Sequence, residues 1–291
     1  MTRSWTAAVF DGSPRHAMTC DVEDYFQVSA FADNVSLEEW EHRECRIPRN
    51  VDLILERLES NNAKATFFTL GWVAQHFPAV VRSIVDAGHE LASHGMQHTR
   101  VWQQSAAEFA EDAATSRKLL EDTSGVSVVG YRAASWSIDA RTPWAHDLLA
   151  EAGYKYSSSI YPIRHDHFGM PDAPTEPHYA GESGLLEVPA SVVQLLGINV
   201  PAGGGGYFRL YPLGFSTWLI DRLESRGSAP YVFYFHPWEM DPGQPRIDGI
   251  SARARFKHYV NLDKFDARLN ALLSRYRWGR MDELYLGSAP S

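Results

Sequence analysis

The sequence predicts an α/β fold of parallel strands with barrel-like closure, on three observations. Short runs of β-branched and aromatic residues alternate with helical periodicity, the pattern of repeated βα units. Several of these runs end in Asp, Glu, His or Arg, and parallel barrels gather their functional groups at the carboxyl ends of strands. Finally, 291 residues with 44% hydrophobic and 22% charged composition can bury a substantial core, which excludes a disordered or fibrous chain.

Taken in chain order, seven runs read as strands: AMTCD, AKATFFTL, HELASH, VVGYRAAS, YKYSSSI, LLEVPASV and PYVFYFH. Between them, Val51, Ile54, Leu55 and Leu58 recur at i, i+3, i+4 and i+7, and Phe77, Val80, Val81 and Ile84 repeat that spacing, so both segments predict amphipathic helices. Helices are also expected in SAAEFAEDAATSRKLLED, TPWAHDLLAEAG, LGFSTWLIDRLESRG and LDKFDARLNALLSRY; Gly153 and Gly227 end two of them where a left-handed cap is needed. Three stretches read as irregular: IRHDHFGMPDAPTEPHYAGESG as a long internal loop, NVPAGGGGYFRLYP with its four glycines, and HPWEMDPGQPRIDG after the last strand. The glycine run lacks the Lys of a phosphate loop. No repeat or composition shift marks a linker, and a single domain over 1–291 is expected.

A formal net charge of −9 argues against a nucleic-acid partner, which needs a clustered basic surface. The two cysteines, Cys20 and Cys45, are too few for a disulfide framework and read as packing residues. AAVF is the only apolar stretch at the N-terminus, short of a secretory signal, and no segment approaches a membrane span. A cytoplasmic location with no integral membrane segment is therefore expected.

Chemistry concentrates at four strand ends. His94 and His98 stand four apart after HELAS, a spacing that lets two imidazoles share a metal ion, and the absence of HExxH disfavours a zincin protease. TCDVED sets Asp21, Glu23 and Asp24 within four residues, where their mutual repulsion calls for a cation or solvent. Arg132 follows VVGY, and His236 follows YVFYF, a position suited to proton transfer. The aromatic residues Trp136, Tyr207 and Trp238, with Phe208 and Tyr211, lie near these motifs and suit the packing of sugar rings.

In order and content these motifs resemble the NodB-homology polysaccharide deacetylases of carbohydrate esterase family 4, over roughly residues 17–240. TCDVED is similar to that family's first motif, His94 through His98 to its second, YRAAS to its arginine-containing third and FYFH to its terminal histidine region. DVEDYF, SHGMQH, GYRAASWSI and AGGGGYFRLYP resemble the exosortase-associated subgroup in particular. The resemblance implies a distorted (β/α) barrel of about seven parallel strands, with a segment from about 160 to 285 completing the same domain. It implies a metal-dependent hydrolase that removes N-acetyl groups from amino sugars of a polysaccharide or its precursor, in exopolysaccharide biosynthesis.

By the same resemblance, His94, His98 and one of Glu23 and Asp24 hold a divalent ion, Zn2+ foremost, with Co2+, Mn2+ or Ni2+ as alternatives. Alternation along an extended strand favours Glu23. Asp21 is implied as the base, Arg132 as its orienting partner, a backbone N–H near Ala133 as an oxyanion donor and His236 as the acid for the departing amine; Trp136, Tyr207 and Trp238 contact the N-acetylated glycan. The sequence departs from the family where Ala133 and Ala134 stand in place of a proline, and where no close match to the fourth motif follows GYKYSSSIYP, Asp166 being a weak stand-in for its aspartate. Two alternatives stay open on the same scaffold, an allantoinase-like or imidase-like cyclic amide hydrolase and an inert carbohydrate-binding protein.

Overall fold

The structure is a computed structural model that describes residues 15–165, 168–227 and 229–287. Its strands are β1 (His16–Val22), β2 (Thr66–Thr69), β3 (Glu90–Ser93), β4 (Gly130–Tyr131), β5 (Tyr156–Ser157), β6 (His178–Ala180), β7 (Leu185–Glu187), β8 (Val192–Leu195), β9 (Ile198–Pro201), β10 (Val232–Phe235) and β11 (Trp278–Gly279). Its helices are α1 (Ile47–Ser60), α2 (Gly71–His76), α3 (Pro78–Asp86), α4 (Ala106–Ser124), α5 (Ala145–Glu151), α6 (Gly205–Leu210), α7 (Leu213–Ser225), α8 (Ala252–Tyr259), α9 (Phe265–Arg275) and α10 (Met281–Leu286).

Each of the seven strand-like runs overlaps one of the strands β1 to β5, β7 and β10, and these pair in parallel in the order β10-β1-β2-β3-β4-β5-β7. This curled, mostly parallel sheet is the α/β architecture expected. The antiparallel β6 extends it beyond β7, and β11 pairs with the first two residues of β1. β1 lies second in the order and is covered on all sides: all seven of its residues are buried, and it pairs with β10, β2 and β11. Parallel pairing carries the ends of β1, β3, β4, β5 and β10 to one side, so residues far apart in sequence meet there.

The helices cover the sheet with the faces their periodicity predicts. On α1, Ile47, Val51, Ile54 and Leu58 are buried, and they join β1, β2 and α9 residues in the largest apolar cluster. Complete burial of such a side chain contributes about 1.5–3 kcal/mol. At the opposite end from the strand tips, α10 is tied down by two backbone donors: Met281 N–H to Thr66 Oγ1 (2.8 Å) and Asp282 N–H to Glu90 Oε2 (3.0 Å). Burial, aided by the charge of Asp282, pushes the Glu90 carboxyl up to about 8.

Two stretches expected to be irregular are ordered. β6 lies inside the expected long loop, where pairing with β7 overrides a sequence lacking strand alternation. The glycine-rich stretch ends β9 and begins α6 because its backbone packs directly on β10: Gly203 O accepts from Tyr234 N, and a Cβ on Gly204 would lie 2.3 Å from Tyr234 O. Gly204 also has φ 114, a conformation that favours glycine. The glycines thus permit close backbone approach beside the strand that ends in His236.

Candidate active site

The strand ends open into a groove of about 530 Å³ lined by Asp21, Glu23, His94, His98 and His236, among others. At the end of β1, Glu23 N–H donates to Asp21 O at 2.9 Å, a local turn in which both acids line the groove. Asp24 instead faces α1: its carboxylate accepts the backbone N–H groups of Arg46 (2.5 Å), Ile47 (3.2 Å) and Tyr25 (2.8 Å). It therefore satisfies donors at the N-terminus of that helix.

Ligand atoms of Glu23, His94 and His98 lie within 4.8 Å of one another, and all three residues are buried. His94 Nδ1 donates to Arg132 O at 2.8 Å; since a carbonyl only accepts, this fixes the proton on Nδ1 and leaves the Nε2 lone pair available. Burial lowers the His94 pKa to about 4, keeping the ring neutral. Burial opposes charge on Glu23, but His98, His236 and His94 outweigh it and hold the carboxyl down at about 2. His98 Nε2 is 2.6 Å from Glu23 Oε2, and that oxygen is buried without a hydrogen-bond partner. A buried, ionised carboxylate with one oxygen unsatisfied beside two imidazoles fits a divalent cation, and two nitrogens with one oxygen suit zinc.

Arg132 is fully buried and spends its guanidinium on several partners at once. Nη1 donates to Asp21 Oδ1 (2.7 Å) and Thr19 Oγ1 (2.7 Å), Nε to Ser158 O (3.1 Å) and Nη2 to Ser158 Oγ (3.0 Å). The group also sits over the Phe68 and Trp136 rings, at 4.0 and 4.5 Å. Asp21 is thereby held through one oxygen in a fixed orientation. Of the backbone N–H groups near Ala133, where an oxyanion donor is expected, that of Ala133 itself donates to Ser159 Oγ at 2.9 Å. The reason is local: Ser157, Ser159 and Glu187 form a buried hydrogen-bonded cluster behind β4.

His236 has a partner that sequence reasoning missed. Its Nδ1 lies 3.0 Å from Glu239 Oε2, Glu239 Oε1 accepts from Arg209 Nε at 2.6 Å, and Glu239 is fully buried. Burial works against a charged imidazole, but the Glu239 hydrogen bond and the nearby acids Glu23, Glu239 and Asp21 raise the His236 pKa to about 9. A signal was available in HPWE, since Pro at the first position and Glu at the third after His236 are the marks of a capping box. Arg209 left no such local signal. Asp166 lies outside the described residues, as does the N-terminal stretch 1–14.

The aromatic residues divide by position. Trp136 lines the groove under Arg132, and Trp238 lines it while donating Nε1–H to Glu23 Oε1 (3.2 Å) and stacking between His236 and His258. Tyr207 is set back, packed against the cluster of Trp136, Tyr161 and Tyr234. Among the described residues, no helix is long and apolar enough to cross a membrane.

Two family models match the chain in succession, a polysaccharide deacetylase model over residues 41–157 and a domain of unknown function, DUF3473, over residues 158–286. The chain is 31% identical over 117 residues to a peptidoglycan deacetylase of Helicobacter pylori, covering 40% of this chain and 38% of that protein. It is 25% identical over 128 residues to a chitooligosaccharide deacetylase of Azorhizobium caulinodans, covering 36% and 61%. The chain thus spans less than two thirds of the length of these relatives. Its fold is similar to that of a solved polysaccharide deacetylase candidate from Mycobacterium smegmatis, with a TM-score of 0.56, 22% identity and coverage of 95% and 91%. The two successive models agree with the order of the strand-end motifs: residues 41–157 match a polysaccharide deacetylase domain, of the NodB-homology, carbohydrate esterase 4 type, and DUF3473 follows it directly.

Proposed function

We propose that this chain is a metal-dependent N-deacetylase of amino sugars in a polysaccharide or its precursor, acting in exopolysaccharide biosynthesis, with residues 1–291 forming one deacetylase domain. The observation that carries the reading is the meeting in one groove of Glu23, His94 and His98 with an arginine-held Asp21 and a carboxylate-paired His236. The domain reading is supported by a sheet whose parallel strands come from both sides of residue 157.

Glu23, His94 and His98 would hold the cation, most readily Zn2+, with Co2+, Mn2+ or Ni2+ as substitutes. When bound, it supplies Lewis acidity, which can bring the pKa of water to about 7. Asp21 takes a proton from the attacking water through its carboxylate, and Arg132 keeps that carboxylate oriented through Oδ1. His236 gives a proton to the departing amine from Nε2, while Glu239 holds Nδ1 and favours the charged ring. An amine leaves poorly without that proton, and a positioned acid is typically worth about 10²–10⁴ in rate. Trp136 and Trp238 form apolar walls against which an N-acetyl sugar can pack.

The test is release of acetate from N-acetylated chitooligosaccharides, with allantoin in parallel, before and after chelation and zinc add-back. Release from the oligosaccharides alone, lost on chelation and restored by zinc, is expected. Turnover of allantoin in place of the glycan, or no zinc-dependent release, would overturn the proposal.

A further inference from the structure

His98 differs from His94 in how its ring is held. His94 is fixed by a backbone carbonyl, whereas His98 Nδ1 meets a side chain, Ser29 Oγ, at 3.3 Å. Ser29 belongs to the short segment after the first-motif acids and lines the groove. Its oxygen also accepts from Ser135 Oγ at 2.7 Å, on the groove wall just beyond Arg132. Both ends of this chain are in unusual backbone conformations: His98 has φ 55, and Ser135 and Trp136 have φ 53 and 54. Left-handed non-glycine residues cost energy and persist only where surrounding contacts hold them.

We infer that Ser29 is the positioning residue for His98, fixing its ring with the proton on Nδ1 so that Nε2 is presented beside Glu23 for the cation, and that Ser135 acts through it. The inference rests on the metal site proposed above. A ring whose Nε2 is a ligand must carry its proton on Nδ1, which needs an acceptor. Ser29 Oγ is that acceptor, and its second lone pair takes the Ser135 hydroxyl. Without the Ser29 oxygen, His98 Nδ1 loses the acceptor that favours this tautomer, and the left-handed turn at Ser135 loses its tie. Ser29 therefore links the ligand set to the groove wall.

The experiment measures zinc affinity by competition with a chromophoric chelator on the full chain, independently of turnover. Ser29→Ala is expected to weaken zinc binding about 10–100-fold, the usual effect of removing an outer partner of a ligating histidine. Ser29→Thr, which keeps the hydroxyl, should restore it, and nitrogen-15 NMR of the zinc-loaded protein should show the His98 proton on Nδ1. Ser135→Ala should weaken binding less, and adding it to Ser29→Ala should cost nothing further, because it acts through Ser29. Wild-type affinity in Ser29→Ala, failure of Ser29→Thr to restore it, or independent, multiplying losses in the double variant would overturn the inference. Absence of zinc binding by the wild-type chain would instead overturn the metal reading beneath it.

Discussion

Replacing Glu239 with Gln should move the alkaline limit of activity. The glutamate receives His236 through Nδ1 at 3.0 Å and Arg209 through Nε at 2.6 Å. Burial alone would lower the His236 pKa, yet it stands at about 9 against an ordinary 6.5, a preference for the charged ring of ~3 kcal/mol. Glu239 contributes to that balance twice, by hydrogen bond and by charge, while Glu23 and Asp21 supply charge only. Because the folded pKa is raised, the protonated ring and the stability it confers are fully present below pH 6.5 and are lost as pH rises through about 9. Glu239→Gln removes the anionic contribution and should bring the alkaline limb down by at least about one pH unit. Glu239→Asp, which keeps the charge, should shift it less. The assay is the pH dependence of acetate release from chitotetraose, beside an activated acetyl ester whose leaving group needs no proton. An unchanged limb on the amide, or equal losses on both substrates, would refute His236 as a Glu239-tuned acid.

Three further outcomes follow from the same geometry. Asp21→Asn should retain zinc but lose about 10²–10⁴ in rate, read as single-turnover acetate release; a variant within tenfold of wild type contradicts a base role. Glu23→Gln should lose at least tenfold in zinc affinity, whereas Asp24→Asn should leave it unchanged and destabilise the fold by ~1 kcal/mol through its contacts to α1, measured by chelator competition and urea denaturation. Glu90, whose carboxyl is raised to about 8, favours the folded state most below its ordinary 4.5 and loses that contribution as pH rises through 8. Glu90→Gln should therefore flatten the fall in denaturation midpoint between neutral and alkaline pH, and a fall identical to wild type would count against it.

The strands that position the site were legible because their signal is local. A run such as PYVFYFH has few alternatives to a buried strand, and the polar residue ending it stands out against apolar neighbours. The elements missed are short or set by contacts elsewhere. β11 has two residues and exists through pairing with β1. The β8–β9 hairpin turns through Leu196 and Gly197 at φ 50 and 79, and Leu-Gly is not the Asn-Gly or Asp-Gly pair that announces such a turn. Within the site, the strand-end residues could be read from spacing, but the Arg209–Glu239 pair and the Ser159 hydroxyl that claims Ala133 N–H come from distant segments. Long-range hydrogen bonds leave no periodic trace.

The seating of β10 beside β1 also bears on how the chain is made. Cys20 pairs with Phe235, a partner synthesised more than two hundred residues later. Until then β1 has one side without its neighbour, and an unpaired strand edge is a template for association with other chains. At about 5–20 residues per second, translation leaves that edge waiting for roughly ten seconds or more. A ribosome-bound chain that has not yet delivered β10 also lacks His236, so it has the zinc ligands and the base of the proposed reaction without the acid. The nascent protein should thus need shielding before it can have activity, and slow translation across residues 158–230 should favour aggregation over folding.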